Sequence, residues 1–457
     1  MNIGFLQDLL SSVAEQGRHL ADRLGLGAGA ARADASALPT LIRALLSTRG
    51  EASGVGLARE IMGRYRDLPA DERIALLQVL ATKFADDPDA IRKAFATYDA
   101  DPNAETHHAL LQVVEPPRQE VLRRLNLAPG NTHALVRMRE DLLDAMGSVP
   151  ELAALDRDFV HLFSSWFNRG FLVLRRIDWS SPAHILEKII RYEAVHAIES
   201  WDDLRRRIEP VDRRCFAFFH PALVDEPLIF VEVALTRDKP AAIDPILAEG
   251  RAPLPPGEAQ AAVFYSISNC QKGLAGISFG NFLIKQVVDE LRRELPQLDT
   301  FVTLSPVPGF RRWLDEARST ESPLLSEEER QAMASLSDLQ SETASLPSLP
   351  SCFEAILARY FVEARTGRGR IVDPVARFHL GNGARLDRLN LLADRSAKGW
   401  RESYGAMVNY LYDLGAIEEN HERFATHQEV VASPAMLKAA KSIQASRDVA
   451  VARSAKR

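Results

Sequence analysis

The chain is 457 residues long, 46% apolar and 26% charged, with a net charge of −6 at neutral pH, which allows two or three domains and a sizeable core. That balance excludes a general basic footprint for nucleic acid but leaves room for a local basic pocket. Apolar runs stop short of the roughly 18 to 20 residues that a membrane helix needs. Three widely spaced cysteines, Cys215, Cys270 and Cys352, form no metal-binding pair and fit a reducing, cytoplasmic setting.

The first ten residues lack a basic leader and read as a surface helix, not a signal peptide. Residues 1 to about 165 predict successive helices, with stripes such as Leu41, Ile42, Leu45 and Leu46, then Ile74, Leu77, Leu80 and Phe84. Polar breaks at Asp86-Asp87-Pro88, Asp101-Pro102-Asn103 and Pro129-Gly130-Asn131 suit an all-α helical bundle with brief connections. His107-His108 has Glu105 at helical spacing from His108 but no third histidine, which disfavours a metal. Asp141 and Asp144 read as the polar edge of an amphipathic helix.

Near Trp166 the texture changes. Residues 166–457 predict a mixed sheet with flanking helices, so the whole chain is α+β. Arg214–Phe219 and Leu228–Leu235 read as strands feeding the stretch Ala261–Trp313, whose order is strand, glycine loop, helix, strand. Val263, Tyr265 and Ile267 alternate as in a pleated strand, whereas Ile284, Val287, Val288, Leu291 and Leu295 fall at helical spacing. Phe301, Val302 and Leu304 form a second strand, stopped by Pro306 and Pro308. Residues 319–351, rich in serine and acid, predict an insertion with one helix and flexible ends, too poor in apolar residues to build a core. The tail from Glu429 to Arg457 is either a frayed surface helix or an arm for an acidic neighbour.

The loop Gln271-Lys272-Gly273-Leu274-Ala275-Gly276, with Gly280 beyond it, offers backbone amides at the start of a helix. Such amides suit phosphate oxygens, although a plain strand-to-helix turn explains the same glycines. Neither the dinucleotide fingerprint nor the Walker spacing is present. Gly276-Ile277-Ser278-Phe279-Gly280 fits a nucleophile-elbow pattern, but Ser278 lies well past the strand end, so a loop residue is the better account. Ser305, at the strand end before two prolines, is either presented at the sheet rim or spent on a local turn bond. His379, between Phe378 and Leu380, reads by itself as a buried histidine with a backbone partner.

Gly273-Leu274-Ala275 resembles the coenzyme A pyrophosphate loop of the GNAT acyltransferase superfamily, although the leading Gln/Arg position falls on Cys270. Together with Ser305-Pro306-Val307-Pro308-Gly309-Phe310, Phe378-His379-Leu380-Gly381-Asn382-Gly383-Ala384 and Met407-Val408-Asn409-Tyr410-Leu411-Tyr412, it resembles the malonyl-CoA decarboxylase family in order from about Trp166 onward. The resemblance implies a GNAT-like sheet domain, catalytic Ser305, His379 and Tyr412, and coenzyme A contacts from Gln271 through Gly276. It also implies a homo-oligomer, with residues 1–165 as its oligomerisation bundle. Members with a glutamate in the loop carry it where Ser278 stands. The implied reaction makes acetyl-CoA and carbon dioxide from malonyl-CoA, with no metal or added cofactor because the thioester accepts the electrons. A histidine with its ordinary pKa near roughly 6.5 then protonates the enolate. A GNAT-type acyltransferase and a silent acyl-CoA sensor are the competing readings.

Overall fold

Capping side chains decide where the first helices begin. Asp87 accepts from the Asp89 and Ala90 amides ahead of Pro88, starting the helix Pro88–Ala100, and Asn103 shares a reciprocal capping box with Thr106 at the start of Ala104–Val114. This computed structural model describes residues 37–48, 50–277, 283–337 and 348–441. Within them the chain forms two units.

The first unit takes Met1–Val173 with two short excursions, Phe219–Pro227 and Gln271–Phe279. Its helices close around Leu41, Leu57, Ile61, Leu77, Val121, Leu135, Leu155 and Phe159, all fully buried, as the spacing of those residues requires. The hairpin of Pro88–Ala100 and Ala104–Val114 buries none of its own residues. His107 lies against the Tyr98 ring and His108 meets Gln112, so both histidines have ordinary side-chain neighbours.

The helix Asn131–Ala145 carries the glycine loop. Arg139, almost wholly buried, donates to the Gly273 and Ala275 carbonyls at 2.8 and 2.9 Å and to Asp156 at 2.9 Å. A Cβ on Gly273 would lie 2.0 Å from the Val136 carbonyl oxygen, so only glycine lets the two backbones touch. Asp144 pairs with Lys272, while Asp141 accepts from Tyr65 and Arg73. The two carboxylates are thus a polar helix edge with partners.

The second unit takes Leu174–Phe218, Leu228–Cys270 and Gly280–Arg457. Its sheet runs β1 (Val173–Ile177), β2 (Arg213–His220), β3 (Leu223–Thr236), β4 (Ala261–Asn269), β5 (Thr300–Thr303), β8 (Met407–Leu411) and β6 (Ser305–Pro306), with β7 (Arg385–Asn390) also on β8. The expected strands are present and the sheet is mixed: β4 is antiparallel to β3 and parallel to β5. Register with β5 ends at Phe264↔Thr303, while register with β3 continues to Asn269 across an irregularity at Glu232/Val233. Val263, Tyr265, Val302, Leu304 and Met407 share one core cluster. Thr303 and Ser305, alternating with them, face the other side.

The insertion departs from expectation. Leu325, Met333 and Leu336 are buried, and Glu329 on the helix Glu327–Ser337 pairs with buried Arg359 at 2.6 Å, so a few apolar anchors and one ion pair tie its first half into the unit. Residues 338–347 lie outside the described residues. In the tail, the helix Pro434–Ala440 buries Met436 and Ala440. Among the described residues, no helix is long and apolar enough to cross a membrane.

Candidate active site

Three segments bring Ser305, His379 and Tyr412 together. Ser305 opens β6 and is held by backbone pairing with Val408. His379 lies on the helix Pro374–Gly381, started by Asp373, whose carboxylate accepts from the Ala376 amide at 2.8 Å ahead of Pro374. Tyr412 follows β8, where its amide donates to the Phe301 carbonyl at 2.8 Å.

The side chains form one line. Tyr412 Oη lies 2.8 Å from His379 Nδ1, His379 Nε2 lies 3.2 Å from Ser305 Oγ, and Ser305 Oγ donates to Thr303 Oγ1 at 2.9 Å. With the Ser305 proton spent on Thr303, the imidazole must carry its hydrogen on Nε2 and accept from Tyr412 at Nδ1. Burial pushes the Tyr412 phenol well above its usual range, which keeps that donor protonated. The His379 ring stacks on Tyr410 at 4.5 Å and 25°. Tyr410 and Tyr412, two residues apart, therefore grip the imidazole from one strand face.

Burial lowers the pKa of His379 to about 3, which revises the expectation of an ordinary imidazole. Desolvation penalises the charged form, so the ring is neutral at physiological pH. An unfolded chain takes up this proton below roughly pH 6.5, whereas the folded one refuses it until about 3. The contribution of His379 to stability is thus present at neutral pH and falls through that window on acidification.

Sequence reasoning missed a clamp behind this line. Tyr360 Oη donates to Asp373 Oδ2 at 3.0 Å, and burial raises Asp373 to about 6. The same hydroxyl would lie 2.6 Å from a Cβ on Gly309. One phenol thus sets the distance between the turn after Ser305 and the capping residue of the His379 helix. The Asp-Pro start of that helix was legible as a capping signal; the Tyr360 contact, made across the fold, was not. Gly383 has φ +79 and sits where a Cβ would meet the Ile417 carbonyl oxygen at 2.1 Å, which explains the glycine after Asn382. Thr303 also accepts from the Tyr410 amide at 3.1 Å, and Asn409 Nδ2 donates to the Thr303 carbonyl at 2.7 Å.

The predicted phosphate loop lies in the first unit. Gln271, Gly273 and Leu274 are buried. The Gln271 amide nitrogen donates to the Pro227 carbonyl at 3.0 Å, the Lys272 ammonium pairs with Asp144, and the Gly273 N–H donates to Glu140 at 3.2 Å. The Ala275 N–H donates to the Lys272 carbonyl at 3.0 Å and its own carbonyl accepts from Arg139, which leaves Gly276, exposed and at φ +78, as the open turn of the loop. Ser278 and Gly280, and with them the nucleophile-elbow reading and the family glutamate position, lie outside the described residues.

Comparison with known proteins gives one result. Residues 84–167 match the malonyl-CoA decarboxylase N-terminal domain and residues 170–450 the C-terminal domain. A crystal structure of malonyl-CoA decarboxylase from Rhodopseudomonas palustris is similar at 55% identity and a TM-score of 0.85, covering 89% of this chain and 99% of that one. Another, from Agrobacterium vitis, is 54% identical with a TM-score of 0.81 over 88% and 99% of the two chains. The mitochondrial malonyl-CoA decarboxylase of Anser anser anser is 34% identical over 415 residues, 83% of this chain and 82% of that protein.

The clamp predicts a compensating pair. Gly309→Ala should destabilise the chain by about 1–3 kcal/mol through overpacking, and Tyr360→Phe, which removes the atom in the way, should recover part of that loss in the double variant. Denaturant unfolding of the four chains measures the coupling; additive losses would refute it.

Proposed function

The chain belongs to the malonyl-CoA decarboxylase family, and from that premise we propose how its own residues convert malonyl-CoA to acetyl-CoA and carbon dioxide. The observation that carries the proposal is the buried line of Ser305, His379 and Tyr412. Breaking the bond to the carboxylate carbon sends its electron pair into the thioester as an enolate, and carbon dioxide leaves. The α-carbon then takes one proton. The substrate is its own electron sink, so the chemistry calls for no added cofactor.

A malonyl carboxylate next to His379 enters a site of low polarity. Its charge is less stabilised there than in water, whereas departing carbon dioxide is neutral and the enolate charge is spread, so the site favours loss of the carboxylate. The same carboxylate raises the pKa of the imidazole it approaches. His379 thus becomes a proton donor when substrate is bound and stays neutral when the site is empty. In the protonated ring Nδ1–H donates to the Tyr412 oxygen, which fixes the ring, so Nε2 delivers the proton on the Ser305 side and the ring is left neutral. Ser305, turning from Thr303, hydrogen-bonds the malonyl group. For the loop of the first unit, we assign the pyrophosphate of coenzyme A to the exposed Gly276 amide and to Lys272, with Gly273 contributing its close packing and not its N–H. A GNAT-type acyltransferase would need an acceptor amine, which this reaction does not.

The homo-oligomer expected from the resemblance is supported by the hairpin Pro88–Ala100/Ala104–Val114, which buries none of its own residues and leaves Phe95 55% and Leu111 54% exposed, apolar side chains that a second copy would cover.

Three measurements test these statements. Purified enzyme given malonyl-CoA alone should release carbon dioxide, and His379→Ala should reduce turnover by roughly 10² to 10⁴ fold; full activity in that variant would remove the assignment. The His379 ring resonances, identified by their loss in the variant, should not titrate between about pH 5 and pH 8 in the free enzyme, and a midpoint near the ordinary histidine value would contradict the neutral ring. Light scattering of the full chain should report a multiple of its mass, and a monomer would refute the oligomer.

A further inference from the structure

The first unit contains a cavity of about 530 Å³, within the range of small-molecule sites, that the reaction described above does not use. Four guanidinium groups line it, Arg59, Arg66, Arg73 and Arg137, against one carboxylate, Asp141. That carboxylate is already engaged by Tyr65 at 2.8 Å and Arg73 at 3.1 Å, so the lining itself holds more guanidinium than carboxylate charge. Arg73 Nε is buried and has no hydrogen-bond partner among the described residues, a donor that a ligand would satisfy.

The first turn of the helix Asn131–Ala145 also opens on the cavity, through Asn131, His133 and Ala134, and adds the positive end of the helix dipole. Among the charges, Met62, Tyr65 and Pro129 add apolar lining. Guanidinium groups bind phosphate oxygens in pairs and stack on planar rings. A flat heterocycle with phosphates attached satisfies both kinds of lining residue.

We propose that this cavity is a binding site for a nucleotide bearing at least two phosphate groups. Two sources share that chemistry: the nucleotide end of coenzyme A, and a free nucleotide. The site is joined to the glycine loop by one chain of bonds. Arg137 donates to both oxygens of Glu140 at 2.9 and 2.8 Å, and Glu140 accepts the Gly273 N–H at 3.2 Å. A phosphate that draws Arg137 toward the cavity therefore acts on the carboxylate that caps the loop.

The test is calorimetry on the full chain with 3′,5′-adenosine bisphosphate, ADP and inorganic phosphate as probes. At least one of the two nucleotides should bind saturably and more tightly than phosphate, with affinity falling as salt rises. Arg73→Ala should weaken binding by about ten- to a hundredfold. Arg66→Glu, at an exposed position, should do the same with an unchanged melting temperature, so that misfolding does not decide the result. If the source is the substrate's own nucleotide, Arg66→Glu also raises KM for malonyl-CoA at unchanged kcat; if it is a free nucleotide, KM stays as it was and malonyl-CoA does not displace the probe. Absence of heat with both nucleotides, or undiminished binding in both variants, would overturn the proposal. Nucleotide binding is read without turnover, so a chain that binds but releases no carbon dioxide would refute the catalytic reading alone.

Discussion

An imidazole shut away from water, and held neutral by that burial, is the constraint on which the second unit depends. Its two nitrogens have one partner each, Tyr412 and Ser305, and its face lies on Tyr410. A buried polar ring with an unmet nitrogen would be costly, so each neighbour serves stability and orientation together. The same desolvation means that an anion entering beside the ring would raise its pKa.

Holding that line requires three remote segments at fixed separations. The backbone of β8 supplies one fixed distance, since Val408 pairs with Ser305 and the following residues present Tyr410 and Tyr412. Tyr360 supplies another, filling the space over Gly309 while bonding Asp373. Rigid backbone pairing and one close-packed phenol thus fix separations that a flexible loop could not, because a hydrogen-bonded line tolerates little error in distance.

In the first unit the corresponding device is backbone contact. Gly273 lies against the Val136 carbonyl, and Arg139 holds the loop's carbonyls. The loop is thereby built into the helical bundle, and its amides are not all available to a ligand. Glycine spacing reports that a backbone comes close to something; it does not say whether that something is a phosphate or another part of the chain.

Much was legible in one dimension. Helical stripes, the β-branched alternation of β4, the Asp-Pro and Asn caps and the ordered motifs around Ser305, His379 and Tyr412 all depend on local periodicity and residue type, so they survive in the sequence. The insertion was misjudged because burial of Met333 and Leu336 and the Glu329–Arg359 pair depend on partners far along the chain. The depressed pKa of His379 and the Tyr360 clamp were invisible for the same reason. Residue identity determined which groups were present and in what order. Only the packing of distant segments decided how much water each group keeps, and water sets both the charge of a histidine and the strength of every bond around it.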